Sequence, residues 1–256
     1  MRPLEFRGLF AAVAPPWQCV LVRNSTDDLP RVLATCWLYW IAVPTGDQAG
    51  VMEIMGLVQP RPVTFAEAEE IIDEDGHGGA EENPDGMARV YVSPELDGWT
   101  LVIGPWCDPC DAERGDDVLR LCRDLSARYG QAQAYYYGAQ RDGSAWLVAQ
   151  DGIVLRRYCE TGEAENAYLT VGEPLPIERA RREQIGLPAV WDEATESDED
   201  EAEWKWAAFD LAPEIAAALG VSPLKLTADM RVVGTGVIAL TPYAAEVHAK
   251  PLRQMH

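Results

Sequence analysis

The chain has 256 residues, 48% hydrophobic and 25% charged, so it is long enough and apolar enough to bury a full core. Its formal net charge of −21 disfavours nucleic acid as a partner, because phosphate contacts require clustered lysine and arginine. Since no stretch approaches the roughly 20 apolar residues of a membrane span, and Glu5 precedes the first apolar run, we expect a cytoplasmic protein with neither membrane insertion nor a signal peptide.

The N-terminal third predicts two strands and two helices. In chain order they are a strand at Trp17–Arg23, a helix from Leu29 to about Ile41, a strand-like segment at Val51–Val58 and a helix at Phe65–Asp73. Thr64 precedes the last of these helices, and Glu67 stands three residues after it. That spacing is typical of a capping box, in which each of the two side chains accepts a backbone N–H of the other residue.

The central region has the clearest pattern of strands and turns. The predicted elements are strands at Ala88–Val92 and Trp99–Ile103, a helix at Asp116–Tyr129, a strand at Ala132–Tyr137 and a hairpin of Ser144–Gln150 with Ile153–Tyr158. Asp151-Gly152 suits the two-residue turn of that hairpin. This order of elements predicts an α+β fold, with a mostly antiparallel central sheet and helices packed on one face.

The composition changes after residue 188, which suggests a division of the chain. We predict a main α+β domain at 1–188, an acidic linker at 189–203 and a small C-terminal helix-strand unit at 204–256 that packs on the main domain. Within these parts, helices are predicted at Ile177–Gln184 and Glu214–Leu219, and a final strand at Arg231–Leu240.

Two segments carry most of the negative charge. Glu67–Asp85 holds nine acids, Asp192–Glu203 holds eight, and neither segment contains lysine or arginine. The remainder of the chain is nearly neutral, so these segments are expected to be solvated arms or binding surfaces. We expect Asp192–Glu203 to be exposed and poorly ordered, and we predict a basic protein as the partner.

Three tryptophans flank the second acidic segment. Aromatic anchors supply binding energy and acids supply fast association, so the combination predicts a surface that binds a basic protein. The predicted partner-binding residues are Trp191, Glu193, Asp198, Glu199, Asp200, Glu201, Trp204 and Trp206. The structural alternative is an acidic linker followed by a strand that its tryptophans anchor to the core.

The sequence Trp106-Cys107-Asp108-Pro109-Cys110 resembles the active-site motif of the thioredoxin family. The resemblance implies that Cys107 is a nucleophilic thiolate and that Cys110 resolves the mixed disulfide. The chain departs from the family where Ser144-Ala145 stand in place of a cis-proline, and where Gly115 interrupts the helix that should begin at the first cysteine. The acids around the pair predict a Cys107 pKa at or above the ordinary thiol value.

The same cysteine pair could instead bind zinc together with Cys122 and Cys159, but the spacing fits no standard zinc module. We therefore predict no metal site, and the chain contains no nucleotide-binding motif, so we predict no cofactor. The other four cysteines, Cys19, Cys36, Cys122 and Cys159, lie in apolar surroundings and are expected to be buried thiols.

Two segments, Arg89–Gly104 and Leu125–Tyr137, resemble uncharacterised acidic proteins of actinobacteria. Small acidic proteins of this kind resemble immunity proteins, which neutralise toxic enzymes. The leading hypothesis is a non-enzymatic, immunity-type binding protein that engages a basic partner. The rival hypothesis is a thiol-disulfide oxidoreductase that uses Cys107 and Cys110, and a third is an enzyme whose site is assembled from residues distant in sequence.

Overall fold

The computed structural model describes residues 28–33, 37–76, 84–138, 143–160, 170–191 and 197–244. Its helices are α1 (Gln48–Met55), α2 (Phe65–Gly76), α3 (Pro84–Ala88), α4 (Gly115–Tyr129), α5 (Pro176–Gln184), α6 (Asp198–Ala208) and α7 (Leu211–Leu219). Its strands are β1 (Trp37–Val43), β2 (Val58–Pro62), β3 (Arg89–Val92), β4 (Glu95–Leu96), β5 (Thr100–Ile103), β6 (Gln131–Gly138), β7 (Gly143–Gln150), β8 (Ile153–Glu160), β9 (Val232–Val233) and β10 (Val237–Leu240).

Eight strands form one sheet in the order β2-β10-β3-β5-β1-β6-β7-β8, and β4 pairs separately with β9. The pairings within this sheet are antiparallel; Tyr135 of β6, for example, lies opposite Trp40 on one side and Trp146 on the other. The predicted α+β fold with a mostly antiparallel central sheet is thereby confirmed. The hairpin turn is confirmed too, since Asp151 and Gly152 both have positive φ, 48° and 81°.

Helices cover both faces of the sheet, whereas the sequence predicted helices on one face. Trp40 and Ala42 of β1 contribute to a core with α2, α6 and α7, and Ile41 and Val43 contribute to a second core with α1 and α4. Strand β1 is apolar at every position from Trp37 to Val43, so both of its faces would expose apolar surface to water if helices did not cover them. The sheet is therefore the middle layer of three.

Two N-terminal predictions are wrong. Trp37–Val43 forms a strand where a helix was predicted, since its aromatic and β-branched side chains pack well on a pleated surface. The predicted strand at Val51–Val58 is mostly helix α1, which the Asp47 carboxylate caps by accepting the N–H of Gly50. The strand predicted at Trp17–Arg23 lies outside the described residues.

The capping box before α2 is confirmed. Thr64 Oγ1 accepts the N–H of Glu67 at 3.2 Å, and Glu67 Oε2 accepts the N–H of Thr64 at 2.9 Å. Helix α4 also follows its predicted spacing, burying Val118, Leu121 and Leu125 against the sheet. Within the described ranges, no helix has both the length and the apolar composition that crossing a membrane requires.

The C-terminal segment is part of the main sheet. Strand β10 (residues 237–240) lies between β2 and β3 in the central sheet. The sequence had predicted that residues 1–188 form the main domain and that residues 204–256 pack on it. Helix α6 runs from Asp198 to Ala208 and crosses the boundary predicted between residues 203 and 204. The second half of the predicted acidic linker is therefore helical. In the described part of residues 204–256, α7 and β10 contribute to the two main cores, as α6 does.

Candidate functional site

A cavity of about 570 Å³ opens between the end of β8, the segment 170–175, α5 and the start of α6. Cavities of roughly 300–1,000 Å³ are typical of sites for small molecules. The lining residues are Arg156, Tyr158, Cys159, Thr170, Gly172, Glu173, Pro174, Glu178, Arg182, Val190, Trp191, Glu201, Trp204 and Lys205. Three basic and three acidic side chains belong to this set, so the cavity is charge-balanced in a chain whose formal net charge is −21.

A buried ion pair forms part of the cavity wall. Arg156 of β8 donates to both oxygens of the Glu178 carboxylate on α5, with a shortest N–O distance of 2.6 Å. Arg156 also donates to the carbonyl of Gly172 at 2.7 Å, and Glu178 accepts the N–H of Leu175 at 2.8 Å. These additional hydrogen bonds offset the desolvation of the two charges, so the pair fixes α5 against the end of β8.

Aromatic rings form another part of the wall. Tyr158 stacks on Trp146 with ring centroids 4.4 Å apart, and Trp204 of α6 meets Tyr158 edge-on at 6.1 Å. The Arg182 guanidinium lies 5.2 Å from the ring centroid of Trp204 and 5.7 Å from that of Trp191, and Nε donates to the carbonyl of Pro188 at 2.6 Å. A cation so placed is attracted to both rings.

The start of α6 is stabilised by its own acids. Ser197 Oγ accepts the N–H of Asp200, and the Asp200 carboxylate accepts the N–H of Ser197 at 2.8 Å, so the pKa of Asp200 falls below its ordinary value. Four acids lie in the first turn, where the helix dipole favours negative charge. One turn further on, Lys205 pairs with Glu201 at 3.1 Å.

The structure divides the predicted partner-binding residues into two groups. Trp191, Glu201 and Trp204 line the cavity, while Asp198, Glu199 and Trp206 are exposed on the remaining surface of α6 and Asp200 caps the helix. Glu193 lies outside the described residues. Trp204 is 7% exposed and packs in the core, because its position on α6 faces the sheet. It therefore anchors a helix to the core, where the structural alternative had a strand.

The expectation of poor order across Asp192–Glu203 has a mixed outcome. Residues 192–196 lie outside the described ranges, and residues 198–203 form the first half of α6. Formation of α6 costs conformational entropy, which the acidic side chains alone do not offset. The capping interactions at Ser197 and the burial of Trp204 offset that cost.

Cys107 and Cys110 do not pair with each other. Cys110 forms a disulfide with Cys159, which was expected to be a buried thiol, and both Cys107 and Cys122 are free and buried. Burial raises the pKa of the Cys107 thiol to about 12. The predicted direction of that shift is confirmed, although burial contributes more to it than the neighbouring Asp108 does.

The backbone around these cysteines also differs from a thioredoxin site. Pro105–Cys107 forms a short 3-10 turn, and the next helix, α4, begins only at Gly115, so Cys107 does not stand at the start of an α-helix. The expectation that Cys107 is an activated thiolate therefore loses its structural basis. In the described part of the chain no three His, Cys, Asp or Glu side chains are grouped as metal ligands.

Sequence reasoning missed the polar residues of the cavity. Arg156, Glu178 and Arg182 are each at most 5% exposed, and nothing in a single sequence separates such residues from a solvated surface. One signal was available, since Glu178 and Arg182 are four residues apart on a short helix that begins at Pro176. No family model, curated protein or solved structure matches this chain.

Proposed function

We propose that this chain is a non-enzymatic binding protein of immunity type that engages a basic protein partner through the outer face of α6. The outer face consists of Glu199, Ala202, Glu203 and Trp206, which are all exposed and follow the i, i+3, i+4, i+7 spacing of one helix face. The observation that carries the proposal is Trp206, which is 79% exposed beside these acids.

The combination of side chains on this face suits a basic segment. An exposed indole offers a large apolar and π surface that can pack against the aliphatic stem and the charge of a lysine or arginine. Glu199 and Glu203 lie on the same side of the helix and attract that charge. The net charge of −21 adds long-range attraction, which raises the association rate of a basic partner.

The burial of Cys107 and the bonding of Cys110 argue against the rival function of a thiol-disulfide oxidoreductase. A nucleophilic cysteine needs access and a depressed pKa, whereas Cys107 is fully buried with a raised pKa. A resolving cysteine must reach the nucleophile, and Cys110 is bonded to Cys159.

The cytoplasmic location expected from the sequence remains part of the proposal, and the disulfide bears on it. Disulfides persist in oxidising compartments and are reduced in most cytosols. In a reducing cytoplasm, the Cys110–Cys159 pair is expected to be at least partly in the dithiol form.

The proposal is tested with a fluorescein-labelled oligo-arginine peptide, and with an oligo-glutamate peptide as the negative control. Fluorescence anisotropy is measured for the wild type, Trp206→Ala, and the double variant Glu199→Gln/Glu203→Gln. We expect Trp206→Ala to speed dissociation and the double variant to slow association. The effect on association should shrink at high salt, because exposed charges are screened over about 8 Å at physiological ionic strength.

Matched controls separate the outer face from general charge. Glu70→Gln/Asp73→Asn removes two exposed acids from α2, and Ile153→Ala truncates an apolar side chain on β8 that is 64% exposed. These variants should bind oligo-arginine like the wild type, apart from a small uniform loss due to the lower net charge. The proposal fails if the controls lose as much binding as the α6 variants, or if oligo-glutamate binds equally well.

A further inference from the structure

The wall of the cavity beside β8 is charged, but its charges balance and are largely paired. Arg156 bonds to Glu178, and Lys205 forms a second pair with Glu201 at 3.1 Å. Within the described part of the chain, none of the lining side chains contributes a buried nitrogen or oxygen atom that lacks a hydrogen bond. A charged ligand would have to break one of these pairs or stay without a counterion, so the wall favours a ligand without net charge.

Three aromatic rings give the wall a second property. They belong to Tyr158, Trp191 and Trp204. Tyr158 and Trp204 are 8% and 7% exposed and meet each other edge-on, whereas Trp191 is 38% exposed. Trp191 is therefore the ring of the cavity with the most surface left to pack against a ligand.

Two guanidinium groups lie against these rings. The Arg182 group is 5.2 Å from the ring centroid of Trp204 and 5.7 Å from that of Trp191. The Arg156 group is 5.6 Å from the ring centroid of Tyr158. A guanidinium is planar, and it attracts the electron-rich face of an aromatic ring. An aliphatic ligand of the same size has no such face, so the wall favours an aromatic ligand.

The volume of the cavity limits the size of that ligand. An apolar cavity of roughly 150 Å³ binds benzene, and sites for drug-sized molecules occupy roughly 300–1,000 Å³. At about 570 Å³, the cavity has room for a bicyclic aromatic molecule. Val190 and Pro174 add apolar surface to the lining, which suits the edge of such a ring.

We propose that the cavity is a binding site for a neutral, planar aromatic molecule of about the size of indole, with its ring packed against Trp191. The site is distinct from the outer face of α6, because Trp206 does not belong to the cavity lining. The proposal therefore stands or fails independently of the basic partner proposed for that face.

One ring carrying three different charges tests the preference for a neutral ligand. Fluorine NMR line broadening of 5-fluoroindole reports binding to the wild type at pH 7, with indole, indole-3-acetate and tryptamine as competitors. We expect indole to displace the probe, and the anionic and cationic analogues to require roughly tenfold higher concentrations, because each brings a net charge to a balanced wall. The proposal is overturned if 5-fluoroindole does not bind, or if a charged analogue competes as well as indole.

Phenol and cyclohexanol test the preference for an aromatic ring in the same competition assay. The two molecules share a six-membered ring and a hydroxyl group, and only phenol offers a π face to the guanidinium groups and Trp191. Phenol should therefore displace 5-fluoroindole at concentrations at which cyclohexanol does not. Equal displacement would show that burial of apolar area alone drives binding, and would rule out an aromatic site.

Two tryptophan variants test the location of the site. Trp191→Ala should weaken binding of 5-fluoroindole by about fivefold, and Trp191→Phe should restore most of it, because phenylalanine keeps an aromatic face. Trp206→Ala is the matched control, since it removes an indole that is 79% exposed and lies outside the cavity lining. Equal losses in Trp191→Ala and Trp206→Ala would show adventitious stacking on exposed tryptophans and would overturn the proposal. The competition assays use the wild type alone, so they decide the matter if a variant does not fold.

Discussion

Trp204 and Trp206 stand two residues apart on α6 and face opposite environments. Trp204 is 7% exposed and meets Tyr158 edge-on, whereas Trp206 is 79% exposed. Two residues correspond to about 200° of rotation around an α-helix, so one indole points to the sheet and the other points to the solvent. The first therefore supports the fold, and the second is available to a partner.

Truncation of the two tryptophans should separate these roles. Trp204→Ala is expected to lower the free energy of unfolding by about 3–5 kcal/mol, because it removes a buried aromatic side chain and leaves a cavity. Trp206→Ala should change it by no more than about 0.5 kcal/mol. Urea denaturation followed by circular dichroism measures both. Equal losses in the two variants would contradict the orientation of α6.

Removing only one charge of the buried pair of Arg156 and Glu178 should strongly lower the free energy of unfolding. Glu178→Ala leaves the Arg156 guanidinium buried beside the carbonyl of Gly172 and is expected to cost about 3–5 kcal/mol in urea denaturation. The double variant Arg156→Met/Glu178→Leu should recover much of that loss, since it removes both charges. A double variant as unstable as Glu178→Ala would show that the individual hydrogen bonds, and not the unpaired charge, determine the loss.

A matched surface pair provides the comparison for this prediction. Arg128 and Glu53 form an exposed contact of 3.3 Å between α4 and α1. Glu53→Ala should cost at most about 1 kcal/mol, because exposed ion pairs are solvated and screened.

Asp47 should contribute to the loss of stability of the fold at acidic pH. The pKa of its carboxyl lies below the ordinary value of an aspartate, first because it accepts the N–H of Gly50 and then because it accepts the Tyr129 hydroxyl at 2.8 Å. A depressed folded-state pKa stabilises the fold above the unfolded pKa, and this contribution is lost as the pH falls through the folded value. Asp47→Asn should therefore lose less stability than the wild type as the pH falls below the ordinary pKa of aspartate.

The measurement is thermal unfolding as a function of pH, with Asp124→Asn on the exposed side of α4 as the control. The control should keep the acid-induced loss of the wild type. If Asp47→Asn loses stability at low pH as steeply as the wild type does, the Asp47 cap makes no pH-dependent contribution.

Cys107 should resist alkylation in the folded protein. Burial raises its pKa to about 12, so the thiol stays protonated at pH 8 and out of contact with reagents. Iodoacetamide labelling with peptide mapping should show modification of Cys107 only at the rate at which the protein unfolds, and rapid modification in urea. Fast labelling without urea would show that the Pro105–Cys107 turn opens locally.

The sequence correctly predicted the elements that are encoded by residues close together in the chain. The hairpin around Asp151-Gly152 and the cap at Thr64 are local, since the turn and the capping box are encoded within a few residues. The Cys110–Cys159 disulfide could not be deduced, because six cysteines allow 15 full pairings and the bonded pair is 49 residues apart.

The candidate site was only partly predictable for the same reason. The acids and tryptophans of α6 are visible as a biased segment, but the cavity depends on Arg156 of β8 meeting Glu178 of α5. That contact joins two elements whose residues are 22 positions apart in the sequence, and no local pattern encodes it. The segment Trp37–Val43 was misassigned because a run of apolar residues suits a buried strand as well as a helix.

The position of β10 between β2 and β3 has a consequence for the order of events during synthesis. Strand β2 has β10 as its sheet neighbour, so it stays without a partner until residues 237–240 have left the ribosome. At a translation rate of about 5–20 residues per second, that delay is on the order of ten seconds. During this interval the β3 edge is open to pairing with other nascent chains, so production in cells should depend on chaperones and on growth temperature more than the final stability suggests.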